Sequence, residues 1–361
     1  MDDSVEDYGN YSYDYYMEYG DMEELKVDHR QKEAMHIISV VIYIISFVLG
    51  LIGNGTVIWV TGCKSKRTVN SVWLLNLALA DFVFVLFLPF YIDYILRDFH
   101  WDFGVAMCKI NSFVSVMNMY AGILFLTVLS VDRYVSLVHH NWSQRCRTPA
   151  RAWFISACIW VMAAALSSPA LIFRDTTRLH DKVVCFNNFH AQDGLSAAAR
   201  HILMVSVRTT VGFLLPFSAM CVTGILLTIR VNRSQGAVRL SSFTKTVSAM
   251  ILAFFICWAP FHIFSVMELS IHSSLYLHNV LKMGFPLATS LGFFHSCINP
   301  VLYVLLGKKV RNILKRACLD ITKSSLRELS QSVSATEMES LPGAPQAGTS
   351  APEEPVASST L

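Results

Sequence analysis

Val69-Asn70-Ser71-Val72-Trp73-Leu74-Leu75-Asn76-Leu77-Ala78-Leu79-Ala80-Asp81-Phe82-Val83-Phe84-Val85-Leu86-Phe87-Leu88-Pro89-Phe90-Tyr91-Ile92 contains a single charged side chain, Asp81. About 20 apolar residues suffice to span a bilayer as a helix. Lipid offers no water to satisfy backbone N–H and C=O groups, so such a stretch must close its own hydrogen bonds. Working outward, comparable stretches occupy residues 37–61, 69–95, 105–138, 152–173, 202–229, 247–271 and 281–306, separated by short polar loops. Several exceed the spanning length, which predicts tilt or extension into water. Hydrophobic residues make up 53% of the 361 and charged residues 15%, and the mean hydropathy is +0.45. That is too apolar for an ordinary soluble domain of this size. The expected fold class is an all-α membrane protein, a seven-helix transmembrane bundle with a short amphipathic eighth helix.

The net charge of +3 conceals a strong asymmetry. Residues 1–35 are acidic and rich in tyrosine, residues 36–306 hold the spans, 307–319 form a basic amphipathic segment, and 320–361 are rich in Ser, Thr, Pro and Glu. No cleavable signal pattern precedes the first span, which is therefore expected to act as an uncleaved anchor. Lys64, Lys66, Arg67, Arg145, Arg147, Arg151, Arg230, Arg233, Arg239, Lys245 and Lys308 all fall on one side. The positive-inside bias makes that side cytoplasmic, with the N-terminus outside. The sequon at Asn10 is then available for glycosylation, whereas those at Asn141 and Asn232 lie in cytoplasmic loops. Of nine cysteines, Cys108 and Cys185 alone face the oxidising side, so they are expected to form a disulfide; two free thiols are the alternative. Cys158, Cys221, Cys257 and Cys297 read as packing residues within the membrane. Cys318 follows the basic segment and reads either as a palmitoylation site or as a solvent-facing thiol.

Polar residues inside the spans are few and costly. An aspartate at a helix centre costs about 2.5–3.5 kcal/mol on insertion scales. Span one carries Gly53-Asn54, span two ends a run Asn76-Leu77-Ala78-Leu79-Ala80 with Asp81, and span three closes with Asp132-Arg133-Tyr134. Span six has Cys257-Trp258-Ala259-Pro260 and span seven Asn299-Pro300-Val301-Leu302-Tyr303. Five such motifs in this order, one per span, make the chain resemble the rhodopsin-like (class A) G-protein-coupled receptors over residues 35–318. Within them it resembles the chemerin receptors of the chemoattractant branch, through Phe99-His100-Trp101-Asp102-Phe103-Gly104, Ser167-Ser168-Pro169 and Cys185-Phe186-Asn187-Asn188-Phe189. The leader and Phe264-Ser265-Val266-Met267-Glu268-Leu269 are closer to the second chemerin receptor than to the first.

The resemblance implies a set of switch residues. Arg133 pairs with Asp132 when the inner face is closed and is released towards a G protein on opening. Pro260 and Pro300 each remove a backbone hydrogen bond, weakening spans six and seven so that their inner halves can swing. Trp258 is the rotor beneath the ligand cavity, and Asn299, Pro300 and Tyr303 complete the set. Asp81, Asn118 and Asn299 are expected to meet at mid-membrane, where the family often holds sodium. Gly122 and His295 replace the usual serine and asparagine, which puts sodium at Asp81 in doubt. His295 is read either as a protonated substitute for the cation or as a neutral imidazole bonded to Asp81 or water. Gly224 stands where the family has a tyrosine that supports the open state, which weakens the expectation for coupling strength.

On the ligand side, Arg208 in span five and Arg174 leaving span four suit an anion such as a peptide's terminal carboxylate. Pairing of Arg208 with Glu268, and of Arg174 with Asp175, are the internal alternatives. Tyr43, Phe87, Tyr91, Val114, Met117, Phe213, Trp258 and Phe261 are candidate walls, and Asn187, Asn188 and Phe189 a candidate lid. The resemblance implies a chemerin-like peptide or protein ligand, an inhibitory-class heterotrimeric G protein, and arrestin and receptor kinases at the Ser/Thr-rich tail. A lipid or small-carboxylate ligand is the alternative. The acidic leader would attract a basic partner, and sulfation of its tyrosines would add charge. No cofactor is expected. Phosphate loops, metal-ligand spacings and Ser-His-Asp arrangements are absent from the sequence, as are the repeats of a transporter and the charged rings of a channel.

Overall fold

The computed structural model describes residues 29–64, 67–179, 181–189, 196–233, 242–270 and 275–306, with residues 323, 326–328 and 330. The chain divides into two units, Met1–Arg311 and Asn312–Leu361; the described part of the second is helical. Asn10, the acidic leader, the 307–319 segment, Cys318 and the tail's Ser/Thr cluster lie outside the described residues.

The seven principal helices are α1 (His29–Trp59), α2 (Val69–Leu96), α3 (Gly104–Val138), α4 (Pro149–Ser167), α5 (Ala197–Thr209 continuing to Arg233), α6 (Ser242–Glu268) and α7 (Leu275–Leu306). Six of them are long and apolar enough to cross a membrane by length and composition; α7, which carries Pro286 and Pro300 within a continuous helix, completes the bundle. Helix starts follow local chemistry. Thr68 caps α2 by accepting from Ser71 N–H, and Ser71 returns a bond to the Thr68 backbone. Thr148 caps α4 ahead of Pro149, whose missing N–H costs nothing at that position. Ser196 accepts from Ala199 N–H at the start of α5. The predicted fourth span runs unbroken, but Pro169 restarts the helix as a separate turn, Pro169–Phe173. Likewise α5 carries a π-helical turn, Thr210–Leu214, just before Pro216.

Neighbouring helices pack in the order α6–α7–α1–α2–α3, with α3 at the centre against α2, α4, α5 and α6. Close approach is allowed by missing side chains. A Cβ on Gly53 would stand 2.6 Å from Pro300 Cβ, so α1 and α7 meet backbone to ring. Gly292 likewise opens the space that the Trp258 ring occupies. Large apolar side chains cover the outer faces as well as filling the core, which holds Phe84, Phe125 and Leu126. Phe154 is 72% exposed and Ile52 65%, facing where lipid would lie, while Asn54, Asp81, Asn118 and Asn299 are buried. Cys257 and Cys297 are buried as expected, but Cys158 lies on the exposed face of α4 and is not a packing residue.

At one end a two-stranded hairpin, β1 (Arg174–Leu179) and β2 (Lys182–Asn187), pairs Thr176 with Cys185. Cys185 is disulfide-bonded to Cys108 near the start of α3, with Cα atoms 5.8 Å apart. The preceding loop reinforces this tether. Asp98 and Phe99 adopt positive φ, and Trp101 N–H donates to Val183 O at 2.7 Å. Arg133 lies 25 residues beyond Cys108 on α3. At 1.5 Å per residue that places it about 37 Å away, at the opposite end of the bundle.

Candidate functional site

The hairpin end encloses a cavity of about 350 Å³. Its floor and walls are aromatic: Tyr43 from α1, Tyr91 from α2, Trp258 and Phe261 from α6, and Phe285 and Phe293 from α7. Charge is concentrated on one side, where Arg174, His201, Arg208 and Glu268 meet. Asn187 reaches the lining from β2. Asn188 does not; its side chain donates to Asp175 Oδ2 at 3.3 Å, and its N–H to Phe173 O. Of the other candidate walls, Phe87, Val114, Met117 and Phe213 stand outside the lining, while Val116 and Met119 of α3 face it. The helical period of α3 explains the exchange: a shift of two residues turns a side chain by about 200°.

Arg208 is the most constrained cation here. Its Nη2 donates to Ser265 Oγ at 3.0 Å, its guanidinium carbon lies 4.9 Å from the Phe261 ring centre, and its Nε meets no acceptor among the described residues. The expected alternative partner, Glu268, approaches His201 instead, at 3.9 Å, and acts on Arg208 and Arg174 through space. Arg174 donates to Cys185 O at 3.5 Å. Asp175, its suggested internal partner, accepts from Thr176 N–H and from Asn188. Phe189, the third candidate lid residue, is buried between Phe173 and His201.

Below the cavity, aromatic contacts continue from Phe285 to Phe261, and from Phe261 to Trp258 and His262. His262 stacks on Phe213 at 4.7 Å, and Phe213 on Phe255. Deeper still, Asn299 Nδ2 donates to Asp81 Oδ2 at 2.9 Å. The Asn118 amide donates to Asp81 Oδ1 at 3.1 Å when its oxygen faces Ser296 Oγ. Asn54 Nδ2 donates to Ser296 O at 2.9 Å, so α1, α2, α3 and α7 converge on one polar knot. His295 does not join it as expected. Its Nε2 has no partner among the described residues, and its ring packs edge-on against Phe254 at 5.2 Å. The reason is helical phase: Ser296, one residue on, takes the place facing Asn118.

At the far end Asp132 accepts from Arg133 Nη2. It also accepts from Arg147 Nε at 2.7 Å and Arg147 Nη2 at 3.0 Å. Asn70 Oδ1 accepts from Arg133 at 2.5 Å and also from Arg147. Tyr134 packs on His139. Pro260 and Pro300 lie inside α6 and α7, and Tyr303 lies in the last turn of α7. Among the described residues nothing outside its own helix backbone lies within 4 Å of the space that a Gly224 Cβ would fill. Arg147, Ser296 and Asn70 had no motif to announce them, and Ser265 stood only within a resemblance stretch with no role assigned. Arg147 counted only as a loop charge because its partner lies 15 residues back, across a turn.

Residues 53–303 match the family model described as "7 transmembrane receptor (rhodopsin family)". The chain belongs to the rhodopsin family of seven-transmembrane receptors. This receptor is 43% identical to the chemerin-like receptor 2 of Macaca fascicularis over 92% of its own length and 93% of that protein. It is 42% identical to the Homo sapiens chemerin-like receptor 2, again over 92% and 93%. Against the Homo sapiens chemerin-like receptor 1 the identity is 42%, over 74% of each chain. It is a multi-pass membrane protein of a receptor family that is not enzymatic.

Proposed function

We propose that the receptor senses a chemerin-like ligand through the free C-terminal end of that ligand and signals to an inhibitory-class G protein and to arrestin. The observation that carries this reading is Arg208. A guanidinium buried in a membrane bundle is costly without an anion. Among the described residues its hydrogen bonds reach one hydroxyl, its face meets one aromatic ring, Glu268 acts on it through space alone, and its Nε is unmet, at the edge of an open cavity. A terminal carboxylate supplies the acceptors, and Arg174 adds a second cation on the same side of the lining. The aromatic walls accept the apolar side chains before it. Relatives named chemerin-like receptors support the choice of peptide.

The hairpin end then faces outside the plasma membrane and the Asp132–Arg133 end faces the cytosol, where Arg145, Arg147 and Arg151 agree with the positive-inside bias. The test is a titration with the chemerin C-terminal peptide on cells expressing the parent or Arg208→Ala, reading G-protein activation and arrestin recruitment. Losing a charged hydrogen-bond partner costs about 1.5–3 kcal/mol, a potency loss of about tenfold or more. Amidating the peptide should cost the parent a similar factor and the mutant little. Unchanged potency in Arg208→Ala removes the carboxylate clamp. The largely apolar lining also suits a lipid carboxylate, a reading favoured if the peptide is silent and a fatty acid activates.

A further inference from the structure

Asp132 is held from two sides, and the second holder belongs to no motif. Arg147 is the C-cap residue of the short helix His140–Cys146, its N–H donating to Ser143 O. The next residue, Thr148, caps α4. Its backbone is therefore fixed between two helix ends, and its guanidinium meets Asp132 in a two-point fork, Nε to Oδ1 at 2.7 Å and Nη2 to Oδ2 at 3.0 Å. Arg133 reaches the same carboxylate through Nη2 alone. The Asp132 and Arg133 side chains are 11% and 12% exposed, so water screens neither well. Arg147, at 25%, lies nearer the surface. Both guanidiniums also share Asn70 Oδ1. Two cations thus compete for one anion, and the fork belongs to the one outside the motif.

We propose that Arg147 is the standing counter-ion of Asp132, which keeps that carboxylate paired when Arg133 leaves it and so lowers the cost of opening the bundle at that end. Breaking a buried pair is costly chiefly because it strands a charge. With Arg147 in place, release of Arg133 leaves Asp132 with both oxygens occupied. Like-charge repulsion between the two guanidiniums favours the same release. The inference rests on reading the chain as a receptor that opens at the Asp132 end, and its direction is opposite to that of a simple lock. If Arg147 merely clamped the loop shut, removing it would raise activity.

The full-length receptor in lipid nanodiscs tests this with Arg147→Ala and Arg147→Lys. Two readouts are followed: ligand-free guanine-nucleotide exchange on an inhibitory G protein, and amide hydrogen exchange along 242–254 of α6. Arg147→Ala should lower basal nucleotide exchange about threefold and slow amide exchange in that half of α6. Arg147→Lys, which keeps the charge and loses the fork, should fall between. In an Asp132→Asn background Arg147→Ala should change neither readout. A basal activity or α6 exchange that rises or stays level in Arg147→Ala overturns the proposal. So does a change confined to residues 140–147, which is what a purely structural role gives. Where the parent drives no nucleotide exchange at all, the signalling reading fails, and the α6 measurement still decides this inference.

Discussion

His295 illustrates how far a single residue can be read. Its identity marks a departure from the family pattern, and its neighbourhood in sequence places it close to Asp81. Its ring packs instead on Phe254, while Asp81 is served by Asn299 and Asn118. We expect His295→Asn to leave the pH response of basal signalling unchanged across about pH 6 to 8, the range in which an ordinary histidine changes charge. The assay is nucleotide exchange at fixed sodium; a response that flattens in the mutant would put a titrating charge on this imidazole. Arg208 was legible as a cation out of place, but its hydroxyl partner was not. Ser265 lies 57 residues away and becomes a neighbour only when α5 packs on α6. Arg147 was invisible for the same reason.

Among elements, the hairpin and its disulfide organise the cavity mouth. Cys108 and Cys185 enclose a separation of 77 residues, so their bond removes considerable freedom from the unfolded chain. Native disulfides of this kind contribute about 2–5 kcal/mol. Cys108→Ser should lower the midpoint of thermal unfolding and also abolish binding of the chemerin C-terminal peptide, because Arg174 and Asn187 are carried on the released strands. Retained binding in a destabilised mutant would separate the hairpin from the site. The helices themselves were the most legible elements, since twenty-odd apolar residues in lipid have no alternative to a helix. Their ends were less so. α5 begins at Ala197, five residues before its apolar run, because the Ser196 cap and not hydropathy sets its limit. The Pro169 restart and the π turn before Pro216 are local accommodations that a hydropathy profile averages away.

Across the whole molecule, charge predicts orientation. Lys64, Arg145, Arg147, Arg151 and Arg230 sit on the Asp132 end of the bundle and the hairpin on the other. Limited proteolysis of sealed cells should therefore spare an epitope placed in 140–147 and cleave one placed before residue 29. Protection of both would contradict the assigned topology. What the amino-acid sequence determined by itself was the number of helices and the positions of the polar residues within them. These follow from a one-dimensional quantity, the cost of putting each residue in lipid. Tertiary structure decided which of those polar residues meet. Whether Ser296 or His295 faces Asn118, and whether Arg133 has Asp132 to itself, depends on helix phase and on contacts across dozens of residues, and no local pattern encodes either.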